Sequence, residues 1–309
     1  IGEAIAKSST YKNSSSVTWD SQIDEALISV EETARRGREI KTGLMDLDDR
    51  FSFYRSNTVI VGAPTSHGKT AFLIKCLTIP ALKKGMKVIY ECLEDYHVLP
   101  YKFASALYGV PLSWYTRYEL ASEPQRRRVN ETLELTKGYK DRLTVVSDMD
   151  MSSFERLVTK VQPDVIILDY LQKYVEGFFD EGSKREACGK VTSQFQNIAR
   201  KAHCYSAIAS QVRRREISKI DKSNNIGILR RPSLSDLKES GDIENYADSV
   251  LLLWWPWKDV SEDSSLKYDK GRYCIQVAKD KLGPGGDLEV RFEGETLNFK
   301  DRYSIATPS

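Results

Sequence analysis

Residues Ala63-Pro-Thr-Ser-His-Gly-Lys-Thr70 have the spacing of a phosphate-binding loop: a small residue, four variable ones, then Gly68, Lys69 and Thr70. Such a loop turns backbone N–H groups toward an anion, and the helix behind it adds its positive end. Lys69 is placed to reach the β- and γ-phosphates of a nucleoside triphosphate, and the Thr70 hydroxyl to ligate Mg²⁺. Ala63, Pro64, Thr65, Ser66, His67, Gly68, Lys69 and Thr70 are therefore the expected nucleotide contacts, with ATP and Mg²⁺ as the expected cofactors. Phosphoryl transfer also needs an acid for the metal, a base for water and a sensor of the γ-phosphate. Asp169 ends the apolar run Val165-Ile-Ile-Leu168, which puts a carboxylate at the end of a buried strand, where it can hold Mg²⁺ through water. Glu94 follows the run Lys87–Cys92 and is the expected base; Glu91 and Asp95 are close by, and spacing alone does not choose among them. Gln211 closes Tyr205–Ser210, where an amide can sense the γ-phosphate.

These groups need strands that end at one crevice and helices that cover the strands. Strand-like runs occur at 58–62, 87–92, 142–147, 164–169, 205–211, 249–255 and 273–279, several of them continuous in Val, Ile and Leu. Runs of that kind suit strands covered on both faces of a mainly parallel sheet. A helix between the third and fourth carries a capping-box pair, Ser152 and Glu155, and an apolar stripe of Phe154, Leu157, Val158 and Val161. Another carries Val191, Phe195, Ile198, Ala199 and Ala202, and Asp287–Phe299 alternates around Gly294 as an antiparallel hairpin. Upstream, residues 1–18 are polar and serine-rich, a linker or tail. Beyond them Ile23, Leu27, Val30 and Ala34 share one helical face, with Asp20 or Ser21 as N-cap and Arg35, Arg36 and Arg38 near the other end. A lone helix of roughly four turns does not bury such a stripe, so it must dock on its own domain or a neighbouring subunit. The expected division is 1–38, a polar tail and linker helix, and 39–309, an α/β ATPase domain.

Composition narrows the class. Of 309 residues 40% are hydrophobic and 29% charged, which is ordinary for a water-soluble globular chain. No apolar run approaches the roughly 18 residues that span a bilayer, so no membrane partner is expected. The five cysteines show no paired metal-ligand spacing, which points to reduced core residues, a cytoplasmic location and no zinc site. Net charge is only +2, yet Arg213-Arg214-Arg215 and Arg230-Arg231 bracket a polar stretch right after Gln211. A basic loop beside a γ-phosphate sensor suits phosphate-backbone binding coupled to hydrolysis.

Taken together the motifs resemble the C-terminal motor domain of DnaB-type replicative helicases, hexameric ring ATPases with a RecA-like P-loop core. Arg35-Arg36-Gly37 through Thr42-Gly43-Leu-Met-Asp-Leu-Asp48 looks like the family's linker and core entry. Glu91-Cys-Leu-Glu-Asp95 is similar to the segment whose glutamate, here Glu94, is the catalytic base. Leu168-Asp-Tyr-Leu-Gln172 resembles the Walker B segment, and Ala209-Ser-Gln-Val-Arg213 the sensor. Pro232–Gly241 followed by Asp242–Asp248 resembles the stretch at the single-stranded DNA channel, which implies DNA contacts from Ser235, Lys238, Glu239, Ser240 and Gly241. Lys279-Asp-Lys281-Leu-Gly-Pro284 looks like the hairpin that sends two cations into a neighbour's nucleotide. Lys281 stands where the family has arginine, and a point charge lacks the guanidinium fork. Phe51-Ser-Phe-Tyr-Arg-Ser56 replaces the family's Gly-Gly turn, and the family's N-terminal collar has no counterpart in the sequence.

The resemblance implies a hexameric homo-oligomer that translocates on single-stranded DNA, with primase or a helicase loader as further partners. It also implies a place at the replication fork or nucleoid of a cell, phage or organelle. Two rivals remain at this level: a RecA-like ATPase without helicase activity, of the recombination or clock type, and a nucleotide-ordered assembly scaffold.

Overall fold

The computed structural model describes residues 18–24, 26–27, 40–178, 184–213, 231–237, 243, 245–259 and 269–302. By internal contacts the chain falls into two units, Ile1–Glu39 and Ile40–Ser309. In the first, residues 19–24 are helical and Trp19, Ile23 and Leu27 are exposed. The cap differs from expectation: Thr18, not Asp20 or Ser21, precedes the first helical residue, and its Oγ1 accepts the Ser21 N–H at 3.3 Å. Val30, Ala34 and the three arginines lie outside the described residues.

In the second unit, nine strands make one sheet in the order β3-β2-β4-β5-β1-β6-β7-β8-β9. They are β1 (Thr58–Ala63), β2 (Val88–Cys92), β3 (Leu143–Val146), β4 (Val165–Asp169), β5 (Tyr205–Gln211), β6 (Ser249–Trp254), β7 (Arg272–Asp280), β8 (Gly286–Glu293) and β9 (Asn298–Asp301). All pairings from β3 across to β6 are parallel. From β6 onward the strands run antiparallel, and β8 and β9 form the expected hairpin about Gly294. Every residue of β1, β2, β4 and β6 is buried, as strands sandwiched between helix layers must be. Because side chains alternate across a strand, Val59, Val61 and Ala63 enter one apolar core and Ile60 the other.

The helices covering these faces largely follow the apolar periodicity. In Met151–Val161, Phe154 and Val158 are buried while Leu157 and Val161 pack at the margin. Its cap is Asp150, whose Oδ1 accepts the Ser152 and Ser153 N–H groups at 3.0 Å each. The expected Ser152–Glu155 box does not form; Glu155 instead accepts from Lys201 Nζ at 2.7 Å. In Lys184–Ala202, Val191, Phe195, Ile198 and Ala199 are buried, and Ala202 is exposed at the helix end. The loop helix runs from Lys69–Phe72 through a wider π-turn at Leu73–Thr78 into Ile79–Lys83. Pro80, inside this run, brings no N–H to the helical ladder.

At its amino end β1 is anchored by a buried carboxylate. Asp248 Oδ2 accepts the Thr58 N–H at 2.9 Å and Gln196 Nε2 at 2.8 Å, while Oδ1 accepts Lys281 Nζ at 2.7 Å. At its carboxyl end β1 delivers the phosphate loop.

Candidate active site

Strand register places the chemistry. Ala63, the last residue of β1, lies opposite Gln211 at the end of β5, and Cys92 at the end of β2 lies opposite Asp169 at the end of β4. Four strands therefore finish on one edge, the carboxyl edge where parallel sheets bind ligands. Gly68 turns the loop at φ +85° and Ser66 at φ +66°. A left-handed turn at Gly68 leads straight into the helix that begins at Lys69. Gly62 is needed for a different reason, since a Cβ there would meet Leu237 Cδ2 and Leu252 Cδ2 at 2.9 Å.

An open cleft of about 350 Å³ follows this edge. Thr65, Ser66, Gly68, Lys69, Thr70, Glu94, Asp169 and Gln211 all line it. Thr70 Oγ1 donates to Asp169 Oδ2 at 2.8 Å. Lys69 Nζ reaches the Ala63 carbonyl at 3.4 Å and lies 5.7 Å over the Tyr170 ring. Burial draws the Lys69 ammonium below its ordinary range, against the opposing pull of Asp169 and Glu94. A cation so poorly solvated, next to backbone donors, favours an incoming polyanion. Gln211 Nε2 donates to Thr65 Oγ1 at 2.6 Å, so this amide touches the phosphate loop itself.

Other predicted residues fall elsewhere. Ala63, Pro64 and His67 do not line the cleft; the His67 imidazole is fully buried, and its Nδ1 accepts the Trp255 N–H at 3.0 Å. Lys279 and Lys281 also lie away from this chain's own cleft, on the Ala247 carbonyl at 2.9 Å and on Asp248. Of the expected DNA contacts, Arg213 and Ser235 are exposed near one another, the Arg213 N–H bonding the Asp236 carbonyl at 2.8 Å. Arg231 is held by Asp287 Oδ2 at 2.9 Å. Arg214, Arg215, Arg230, Lys238, Glu239, Ser240 and Gly241 lie outside the described residues.

Three supporting residues were not foreseen. Tyr90, buried in β2, donates its hydroxyl to Asp169 Oδ2 at 2.8 Å. Gln172 accepts the Gln211 N–H at 2.9 Å and donates to Ser210 Oγ at 3.0 Å, which fixes the end of β5. Lys102 lines the cleft paired with Asp95 at 3.0 Å, next to Glu94. A buried polar residue within an apolar strand was the only signal for Tyr90. Gln172 stood in the Walker B segment without a role.

Thr70 and Asp169 are the oxygens that suit a metal ion at this edge. Among the described residues no group of three or more His, Cys, Asp or Glu could cage an ion. Thr70 and Asp169 offer two oxygens side by side. Mg²⁺ characteristically takes few protein ligands and fills its octahedron with phosphate oxygens and water.

Comparison with known proteins gives the family. The sequence model of the DnaB-like helicase C terminal domain matches residues 39–301. The chain belongs to that family. A probable replicative DNA helicase of Trieres chinensis is 26% identical over 282 residues, covering 85% of this chain and 57% of the relative. The chain thus spans little more than half of that protein. Among solved structures, an isolated ATPase domain superposes with a TM-score of 0.71 at 22% identity, covering 90% of this chain and 98% of that one. A DnaB-like replicative helicase studied for its interactions with primase gives 0.69 at 22% identity, covering 90% and 66%. The α/β fold with a mainly parallel sheet is the fold of these ATPase domains. Among the described residues no helix is long and apolar enough to cross a membrane.

Proposed function

We propose that the chain is the ATP-hydrolysing motor of a replicative DNA helicase, working as a homo-oligomeric ring on single-stranded DNA. The observation that carries the reading is the meeting of Lys69, Thr70, Asp169, Glu94 and Gln211 in one cleft at the ends of four strands. The phosphate-loop N–H groups and Lys69 bind the β- and γ-phosphates. Thr70 and Asp169 hold Mg²⁺, which supplies charge neutralisation on the phosphates when bound. Glu94 orients the attacking water and takes its proton. Gln211 loses its γ-phosphate contact on hydrolysis and passes the change to the segment after Val212, where the basic loop begins. Lys279 and Lys281, directed away from their own cleft, serve a neighbour's nucleotide, which requires a head-to-tail interface closing into a ring; six subunits is the proposed number. Residues 1–38 act as tail and linker helix docking on a neighbour. Primase or a loader is the proposed further partner, at a replication fork in the cytoplasm or nucleoid; primase is supported by the DnaB-like helicase described with it.

Steady-state ATP hydrolysis, with and without single-stranded DNA and with Lys69→Ala as control, tests this. Stimulation by single strands that fades with salt and vanishes in Lys69→Ala supports the motor. Hydrolysis indifferent to DNA refutes it in favour of a DNA-independent ATPase.

A further inference from the structure

A further cavity opens at the sheet edge opposite β9. β3 ends the strand order there, and each of its four residues is half-buried, whereas every residue of the adjoining β2 is covered. Side chains alternate along a strand, so Leu143 and Val145 share one face of β3, and Tyr90 of β2 stands in register with Val145. Two helices contribute the opposite side, Leu99–Tyr108 from its first turns and Glu123–Thr136 from its last residue and the short turn Lys137–Tyr139 that follows. Between helices and strands lies a space of about 340 Å³.

Its walls are apolar: Ile74, Leu99, Phe103, Leu143 and Val145 line it, and Phe103 meets Tyr139 edge to face at 5.6 Å between ring centroids. Its charge is of one sign. Lys137 and Lys140 line it from exposed positions and His97 adds an exposed imidazole, while among the described residues that line it there is no Asp or Glu. Lys137 Nζ is held by Glu134 Oε1 at 2.7 Å. Lys140 forms no ion pair with any described residue. An apolar cavity at the small end of the ligand-site range, with a cationic rim, suits a small amphipathic anion.

Two of its walls also belong to the candidate active site. Tyr90 donates its hydroxyl to Asp169 Oδ2. Ile74 and Thr78 lie in the π-turn of the helix that carries Lys69 and Thr70, and Thr78 Oγ1 donates to the Leu73 carbonyl at 2.9 Å within that turn. Such wider turns are frequent at functional sites.

We propose that this cavity binds a small amphipathic anion, an apolar body with a single carboxylate, and that its filling strengthens nucleotide binding in the cleft. The carboxylate pairs with Lys140 and the body packs on the β3 face. The coupling, though not the binding itself, rests on the cleft being a triphosphate site, as argued above. Tyr90 and Thr70 already bond Asp169, so a body packed against Tyr90 and the π-turn fixes the arrangement that Mg²⁺ and phosphate require. Coupling between two sites is reciprocal, so Mg²⁺–ATP must tighten the anion by the same factor.

Equilibrium dialysis of the full chain against naphthoate, with naphthol as its neutral counterpart, tests it. Naphthoate is expected to bind about fivefold more tightly than naphthol, as one exposed cation contributes, with the margin shrinking at high salt. Lys140→Glu, at an exposed position, should weaken naphthoate about tenfold and leave naphthol within about twofold. Val145→Phe, which fills the cavity, should bind neither. Saturating Mg²⁺–ATP should tighten naphthoate about fivefold, and Tyr90→Phe should lose most of that gain while binding naphthoate alone within about twofold of wild type. No naphthoate binding, naphthol bound as tightly, or a loss in Lys140→Glu shared by both probes overturns the site. Naphthoate binding that fades as rising protein concentration drives assembly also overturns it, since a second copy of the chain then covers the cavity. A chain that binds Mg²⁺–ATP without any change in naphthoate affinity overturns the coupling; one that binds naphthoate but no Mg²⁺–ATP overturns the triphosphate reading and leaves the anion site standing.

Discussion

Replacing Asp248 by alanine should destabilise the fold more than any change at the cations around it. Asp248 is 3% exposed and receives two buried donors, the Thr58 N–H that opens β1 and one N–H of Gln196, whose Nε2 also reaches the Tyr246 carbonyl at 2.7 Å. Truncation strands both donors. At about 1–3 kcal/mol per buried unsatisfied group, the cost is about 4 kcal/mol. Lys281, half exposed, returns to water, so its share is about 0–1 kcal/mol. In a unit of this size about 4 kcal/mol lowers the melting temperature by roughly 10 °C. The carboxylate also sets a pH signature. Burial pushes the Asp248 carboxyl up, but Lys281, the Thr58 N–H and Gln196 outweigh burial and hold it below the usual carboxylate range. A group with a depressed folded value stabilises above its unfolded value, about 3.9, and loses that contribution as pH falls through the folded one. The gap between wild type and Asp248→Ala should therefore be flat from pH 8 to 5 and narrow below about 4. Thermal and urea unfolding followed by circular dichroism measure both, with Lys281→Ala as the matched control. A loss under about 1 kcal/mol in Asp248→Ala, or an equal loss in Lys281→Ala, refutes the argument that buried donors rather than the ion pair anchor β1.

Three further outcomes are expected. Tyr90→Phe removes one of the hydrogen bonds to Asp169 Oδ2 and should raise the Mg²⁺ concentration needed for half-maximal hydrolysis about tenfold, with nucleotide affinity little changed; an unchanged Mg²⁺ titration would show that Thr70 alone orients Asp169. Burial pushes the Glu91 carboxyl up to about 7, against the pull of the Met149 N–H, so the native state binds the extra proton and stability falls as pH rises from about 4.5 to about 7. Glu91→Gln should accordingly raise the free energy of urea unfolding at pH 8, by about 3 kcal/mol, and hardly at all at pH 5; a gain equal at both pH values contradicts a buried charge. Finally, mixing inactive Lys69→Ala with Lys279→Ala/Lys281→Ala protomers should restore part of the ATPase, because some interfaces then combine an intact loop with an intact hairpin. Mixtures that never exceed the sum of their components rule out action in trans.

The sequence patterns most readily read were those in which local chemistry decides the outcome. Val/Ile/Leu runs mark β1, β4 and β6 because strands covered on both faces admit little else. The loop Gly68-Lys69-Thr70 is legible for the same reason, since few residues meet its backbone and charge demands. What the pattern did not hold is pairing. Nothing in β2 alone says that Tyr90 will face Asp169, because that contact arises only when β2 docks beside β4. His67 reads as one more loop residue, yet its imidazole turns into the core because Trp255, 188 positions away, presents an N–H there. The helix caps shifted for a smaller reason. Asp150 and Ser152 are both competent N-caps, and two residues of difference in where the chain enters the helix decide between them.

The anchor and the hairpin share one carboxylate, and that sharing bears on how a neighbour's nucleotide can recruit Lys281. In the isolated chain the Lys281 ammonium is held by Asp248 at 2.7 Å, with Arg200 another cation 3.8 Å from the same oxygen. The pair is half open to water on the lysine side, where such contacts contribute about 0–1 kcal/mol. A triphosphate on an adjacent protomer carries several negative charges and is the stronger partner, so on the proposed reading Lys281 can swing outward at little cost. Asp248 does not lose its role when that happens, since Oδ2 keeps Thr58 and Gln196 and Arg200 remains beside Oδ1. An arginine at 281 would hold a carboxylate more firmly through its fork, and lysine makes the exchange easier. On that reading the position trades a directional grip on phosphate for easy release, while the strand that carries the phosphate loop stays anchored.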